Sequence, residues 1–99
     1  MIVIRNVFRL KFGKARDGVA LVKESVAIQK RAGVGFTSRI LTDLTGPFYT
    51  IVLELTLPSL TAFEAELPRV MSDKDFQANY QKLVELVDSG YREIFTVVE

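Results

Sequence analysis

The 99 residues, of which 48% are hydrophobic, are enough for one domain with a single core, and we expect residues 1–99 to form it. A net charge of +1, with the basic residues scattered along the chain, argues against nucleic acids and membranes as partners. Cys and His are absent, which excludes thiol and imidazole catalysis and the usual zinc and haem ligands, so we expect no cofactor and no metal site.

The first half of the chain shows the periodicities of a strand, an amphipathic helix and a pair of strands. Residues at the start alternate between apolar and polar, and a helical stripe of apolar residues follows up to Gly33. Gly46-Pro47 separates two runs rich in β-branched and aromatic residues, which predicts a β-hairpin. The predicted elements are a strand over 2–12, a helix over 19–32 with Asp17 as its N-cap, and strands over 35–44 and 47–57.

The second half of the chain predicts two helices and a last strand. Ser59 can cap a short helix, which Pro68 interrupts. Ser72 can cap a longer amphipathic helix, and Ser89-Gly90 is expected to end it. The predicted elements are helices over 60–67 and 73–88 and a strand over 91–99.

This order of elements, β-α-β-β-α-β, is that of the ferredoxin-like α+β fold. Right-handed crossovers place the two main helices on one face of a four-stranded antiparallel sheet, with the strand order 4-1-3-2. The last predicted strand leaves open which of its rows, that of Tyr91 or that of Arg92, faces the helices. The opposite face of the sheet, called the far face below, has no helix to cover it.

The turn determines which residues of the hairpin lie opposite each other. With the tip over 45–48, Arg39 lies opposite Glu54 on the far face. Arg5 and Arg9 of the first strand are expected on the same face, where the four charged residues would form an ion-pair cluster inside a dimer. In an alternative interpretation, one of these two first-strand arginines holds the carboxylate of a ligand.

A single chain is expected to expose apolar side chains on the far face, in a patch of the kind that usually marks an interface. The members of this patch are Val3, Val7, Phe48 and Val52. Because the chain has no third layer, a second copy is the natural cover, and we expect a homodimer. The candidate dimer interface comprises Val3, Arg5, Val7, Arg9, Arg39, Phe48, Val52 and Glu54.

A cleft between the sheet and the helices is the expected ligand site. Asn6 interrupts an apolar row that faces the helices, so its amide needs a polar partner, either within the protein or in a bound molecule. Tyrosine hydroxyls beside it can orient a ligand, although aromatic residues at helical spacing also occur simply as core. The candidate ligand-binding residues are Asn6, Tyr49, Phe76 and Tyr80.

Three stretches of the chain resemble small NIPSNAP-like proteins of the dimeric α+β barrel superfamily. They are "NVFRLKFG" in the first strand, "RILTDLTGPFYTIVLEL" followed by "SLTAFEAELP", and "MSDKDFQANYQKLVELVDSGYREIFTVVE". The resemblance implies a homodimer whose two sheets pack face to face as a barrel, and it implies no agreed activity. Many relatives carry Trp near position 80, where this chain has Tyr80.

Monooxygenases of the same superfamily suggest a second role for Asn6. The haem-degrading and antibiotic-biosynthesis types use an asparagine of the first strand in the cleft, and Asn6 matches it. The haem-degrading type also needs an axial His and a Trp, and the chain has neither, so this resemblance does not extend to haem.

Two classes of function remain open. The first is non-enzymatic binding of a small apolar molecule or a protein partner, favoured because no carboxylate shares the row of Asn6 on the first strand. The alternative is a cofactor-independent monooxygenase or isomerase acting on a small aromatic or polyketide-like substrate. The N-terminal residues lack the pattern of a signal peptide, and we expect a cytoplasmic protein.

Overall fold

Three helices and a four-stranded antiparallel sheet form the protein, which a computed structural model describes over residues 1–99. The elements are β1 Ile2–Leu10, α1 Ala15–Arg31, β2 Thr37–Thr42, β3 Thr50–Leu57, α2 Leu60–Met71, α3 Lys74–Val84 and β4 Val87–Thr96. The strand order β2-β3-β1-β4 is the predicted order counted from the other edge, so the ferredoxin-like α+β fold is confirmed. None of the helices combines the length and the apolar character needed to cross a membrane.

The hydrophobic core lies between the sheet and the helices. β3 supplies one unbroken apolar row to it, as its alternation predicts. The molecule measures 36 × 35 × 17 Å, which accommodates one sheet and one layer of helices but no third layer. The buried cluster comprises Ile4, Leu10, Val22, Ile51, Leu53, Leu55, Leu57, Phe63 and Leu83.

The first two helices differ from the prediction at their ends. α1 begins at Ala15, so Asp17 lies in its first turn and not at the N-cap. There its negative charge interacts favourably with the helix dipole. α2 is capped by Ser59, as predicted, but continues through Pro68 to Met71. The proline removes one backbone donor, and the burial of Val70 beyond it holds the last turn against the core.

The third helix is shorter than predicted, and the last strand begins earlier. The cap of α3 is Asp73, not Ser72, since its carboxylate accepts a hydrogen bond from the Phe76 amide at 3.0 Å. Ser89-Gly90 does not end a helix but lies inside β4, next to an irregularity in its pairing with β1. The long-range pairing with β1 overrides the local helix-ending signal of these two residues.

β1 and β4 approach each other closely at Gly90. A Cβ atom at this position would lie 2.9 Å from the carbonyl oxygen of Val7. We therefore expect Gly90→Ala to lower the free energy of unfolding by about 1–3 kcal/mol, although alanine usually suits a strand better than glycine. Urea unfolding followed by circular dichroism measures the change. Gly35→Ala is the matched control, because no atom lies within 4 Å of its added Cβ, and equal losses in the two variants would contradict this account.

The hairpin has the predicted register and a longer tip. Arg39 lies opposite Glu54, as expected. The paired strands end at Thr42 and Thr50, so the connecting loop spans residues 43–49 and not 45–48. Within it the Asp43 carboxylate accepts a hydrogen bond from the Thr50 amide at 2.7 Å, which closes the loop before the ladder can extend further.

Candidate functional site

A cavity of about 470 Å³ lies between the sheet and the three helices. Of the 18 residues that form its wall, 13 are hydrophobic. Apart from Phe36, which lies between α1 and β2, the wall residues come from the three helices and from β1, β3 and β4. The wall is thus mainly apolar with a few polar groups, which is the usual character of a small-molecule site. Its polar side chains are Asn6, Ser25, Gln29 and Arg92, together with the hydroxyl of Tyr80.

Three of the four predicted ligand-binding residues lie on this wall. Asn6, Phe76 and Tyr80 belong to it, and the last two stack with ring centroids 6.1 Å apart. Tyr49 does not belong to it. β3 begins only at Thr50, so Tyr49 lies in the hairpin loop. Its ring centroid there is 5.4 Å from that of Phe12.

Asn6 is joined to an arginine that the sequence did not single out. The two residues are direct partners in the β1–β4 ladder, and the Arg92 Nε donates to the Asn6 Oδ1 at 2.7 Å. The Arg92 guanidinium carbon also lies 5.8 Å from the ring centroid of Phe63, within the range of a cation–π contact. Pairing with β1 therefore directs the Arg92 row of β4 towards the helices, and this places a positive charge at the cavity.

The wall offers groups for binding but few for proton transfer. It contains no Asp, Glu, His or Cys, and no group of three or more such residues in the structure could hold a metal ion. The hydroxyls of Ser25 and Tyr80 are its only neutral proton donors that could act as acids. The site can enclose an apolar molecule and orient it by hydrogen bonds and one positive charge.

A buried polar pair holds together the two helices above the cavity. Asn79 Nδ2 donates to the Leu21 carbonyl oxygen at 2.8 Å and to the Ser25 Oγ at 2.9 Å. This pair was not predicted from the sequence. A signal was present, because Ser25 and Asn79 each follow a stripe residue, Val22 and Phe76, at a spacing of three and so share the buried side of their helix.

A row of alternating charges crosses the far face, one residue from each strand. The Glu54 carboxylate lies 2.9 Å from the Arg39 Nε and 3.6 Å from the Arg5 Nε, and the Arg5 Nη1 lies 3.5 Å from Glu93. The expected cluster is thus present for three of its four residues. Arg9 is not part of it, because it lies four residues along β1 from Arg5, and its buried Nε has no hydrogen-bond partner.

The expected apolar patch on the far face is only partly exposed. Val7 and Val52 are just 4% and 9% exposed, contrary to expectation, because they pair with each other in the central strands between Leu41 and Tyr91. Val3 is half-buried, and Phe48 is exposed but lies in the hairpin loop, outside the ladder. The apolar side chain exposed on the far face next to Val3 is that of Phe95, a residue of the Tyr91 row that was not predicted as a member of the patch.

No protein-family model matches the sequence, and no curated protein matches it. An uncharacterized NIPSNAP domain protein from Burkholderia xenovorans has a similar structure, with a TM-score of 0.86 at 16% identity over 99% of this chain and 95% of that one. A Chloroflexus aurantiacus protein assigned to the antibiotic biosynthesis monooxygenases has a TM-score of 0.75 at 14% identity, over 99% and 93% of the two chains. SnoaB, a cofactor-independent oxygenase from Streptomyces nogalater, has a TM-score of 0.70 at 17% identity, over 99% and 93%. The predicted resemblance to NIPSNAP-like proteins and their relatives is confirmed, and at these identities it concerns the fold.

Proposed function

We propose that the protein is a homodimer that binds a small, mainly apolar molecule in the cavity between sheet and helices. The cavity carries this proposal. Its volume of about 470 Å³ falls in the range of small-molecule sites, about 300–1,000 Å³. Met71, Tyr80 and Arg92 on its wall are exposed, so the cavity opens to solvent and a small molecule can enter it.

The charged row supports one arrangement of the two copies. Across the far face its order is Arg39, Glu54, Arg5, Glu93. A twofold axis parallel to the strands and midway between β1 and β3 reverses this order in the second copy. Arg39 then faces the partner's Glu93, and Glu54 faces the partner's Arg5, so every charge meets an opposite one. An axis perpendicular to the strands would set like charges against each other, so the proposed dimer uses the first axis, with the sheets face to face.

A cofactor-independent oxygenase is the second candidate function. Two solved structures of similar fold bear the names of oxygenases, and Arg92 could stabilise the anion of an electron-rich substrate. The cavity wall has no carboxylate or imidazole to act as a base, which also counts against an isomerase. Oxygen uptake after addition of a dihydroxynaphthalene, compared with the uncatalysed rate, distinguishes this candidate from simple binding.

The binding function can be tested with an introduced tryptophan, because the chain has none of its own. In Tyr80→Trp the indole lies on the cavity wall, and we expect the neutral aromatic probe phenylnaphthylamine to quench its fluorescence to saturation at one probe per chain. Tyr49→Trp is the matched control, since Tyr49 lies outside the wall, and its emission should stay constant. A lack of saturable quenching in Tyr80→Trp, or equal quenching in both variants, would argue that the cavity does not bind ligands.

A further inference from the structure

We propose that the ligand of the cavity is an organic anion, namely a small, largely apolar acid with an aromatic or alicyclic ring, whose negative group pairs with Arg92. The inference rests on the proposed binding function and adds the chemical class of the ligand. Arg92 is the one charged side chain among the residues of the wall. The wall therefore carries a single positive charge beside mainly apolar side chains, and Arg92 is itself exposed, so an anion can reach it from solution.

The neighbours of Arg92 position its guanidinium without neutralising it. Its Nε donates to the amide oxygen of Asn6 at 2.7 Å, and its guanidinium carbon lies 5.8 Å from the Phe63 ring centroid. Both contacts restrain the planar group, and neither partner carries a negative charge. The two terminal nitrogens make no hydrogen bond within the chain, so they remain able to donate the parallel pair of hydrogen bonds that a carboxylate accepts.

Four of the seven arginines have acidic partners, and of the other three, Arg9, Arg16 and Arg92, only Arg92 lies on the cavity wall. Arg5, Arg31, Arg39 and Arg69 each form an ion pair with a glutamate. None of the six ion pairs of the structure includes Arg92, and no carboxylate lies on the cavity wall to compete for it. An arginine that is held in place, lacks an acid and borders an apolar cavity has the arrangement of an anion-recognition residue.

The rest of the wall restricts the remainder of the ligand. Phe76 and Tyr80 stack with an interplanar angle of 16°, and Phe36 and Phe63 form a second aromatic pair with ring centroids 6.0 Å apart. Such aromatic pairs favour a ring or a compact apolar body. Inorganic phosphate and sugar phosphates do not fit, because they need many more donors than this wall supplies. A carboxylate, phenolate or enolate attached to an apolar ring can pair with Arg92 and pack against the apolar part of the wall.

Two probes that share one ring system test the inference. Phenylnaphthylamine is neutral, and anilinonaphthalene sulfonate adds an anionic group to the same rings. We expect Arg92→Met to weaken binding of the sulfonate by about tenfold or more and to change binding of the neutral probe by less than about twofold. Methionine keeps an unbranched side chain beside Phe63, so the apolar wall is retained. Probe fluorescence titrations give both dissociation constants for each variant.

Asn6→Asp provides the second variant. Aspartate still accepts the hydrogen bond from the Arg92 Nε, but its negative charge neutralises the guanidinium. We therefore expect it, like Arg92→Met, to weaken binding of the sulfonate and not of the neutral probe. Arg16→Met removes an exposed arginine of α1 outside the cavity wall and should change neither constant. If both probes bind the parent and Arg92→Met affects them equally, the anion preference is refuted while the binding function stands. If neither probe binds the parent protein, the binding function fails and the inference fails with it.

Discussion

Phe95→Lys should convert the proposed dimer into folded monomers. Phe95 lies opposite Val3 on the far face and is 47% exposed in a single chain. A lysine there disturbs the single chain little, but in a face-to-face dimer it removes apolar contact and buries an unpaired charge. A loss of about 2 kcal/mol at each of two symmetry-related sites weakens association by about a thousandfold. Light scattering during gel filtration should give twice the chain mass of 11.1 kDa for the parent and that mass itself for the variant.

The control for this experiment is Leu60→Lys. Leu60 has almost the same exposure, 46%, but lies in the helix layer, so its replacement should leave the dimer intact. Val52→Lys is a poorer test, because Val52 is already buried within one chain and a lysine there would also destabilise the monomer. A parent protein that runs as a monomer, or a folded Phe95→Lys variant that stays dimeric, would refute the face-to-face dimer.

The sheet could be predicted from the sequence because its central strands have unequal rows. One row of β3, from Ile51 to Leu57, is wholly apolar, while the other mixes threonine and glutamate with Val52, so only the first suits a core. The Gly46-Pro47 turn then sets the register that brings Arg39 beside Glu54. Local alternation and one turn were therefore sufficient for most of the charged row, and the order of elements with right-handed crossovers supplied the sheet order.

The last strand and its share of the site could not be predicted in this way. Both rows of β4 contain apolar and charged residues, so period-two alternation does not say which row faces the helices. The direction depends on pairing with β1, a contact between residues as far apart in sequence as Asn6 and Arg92. The cavity itself depends on how three helices pack, including α2 beyond Pro68, and no local pattern specifies such packing.

Asn79→Asp should lower the free energy of unfolding by about 3–5 kcal/mol near neutral pH, the usual cost of an uncompensated buried charge. Asn79 is buried, and its amide nitrogen joins α3 to α1 through the Leu21 carbonyl oxygen and Ser25. Aspartate has nearly the same shape, but its ionised form has no donor. A negative oxygen would then face the Leu21 carbonyl oxygen, so the variant loses a hydrogen bond and gains a repulsion without a change in volume.

Measurements at several pH values separate the effect of charge from that of shape. Burial raises the pKa of a carboxyl group, so the introduced acid ionises at higher pH in the folded chain than in the unfolded chain, where its pKa is about 3.9. Below that pH both states are protonated, the carboxyl can donate to the Leu21 oxygen, and the variant should approach the stability of the parent. Above it the unfolded chain ionises first, so the variant should lose about 1.4 kcal/mol of unfolding free energy per pH unit relative to the parent until the folded group ionises too.

Gln81→Glu, exposed on the same helix, should show no such dependence in urea unfolding. If the variant loses the same unfolding free energy at every pH, then the shape of the Asn79 side chain, and not the two hydrogen bonds that its amide nitrogen donates, holds these two helices together above the cavity.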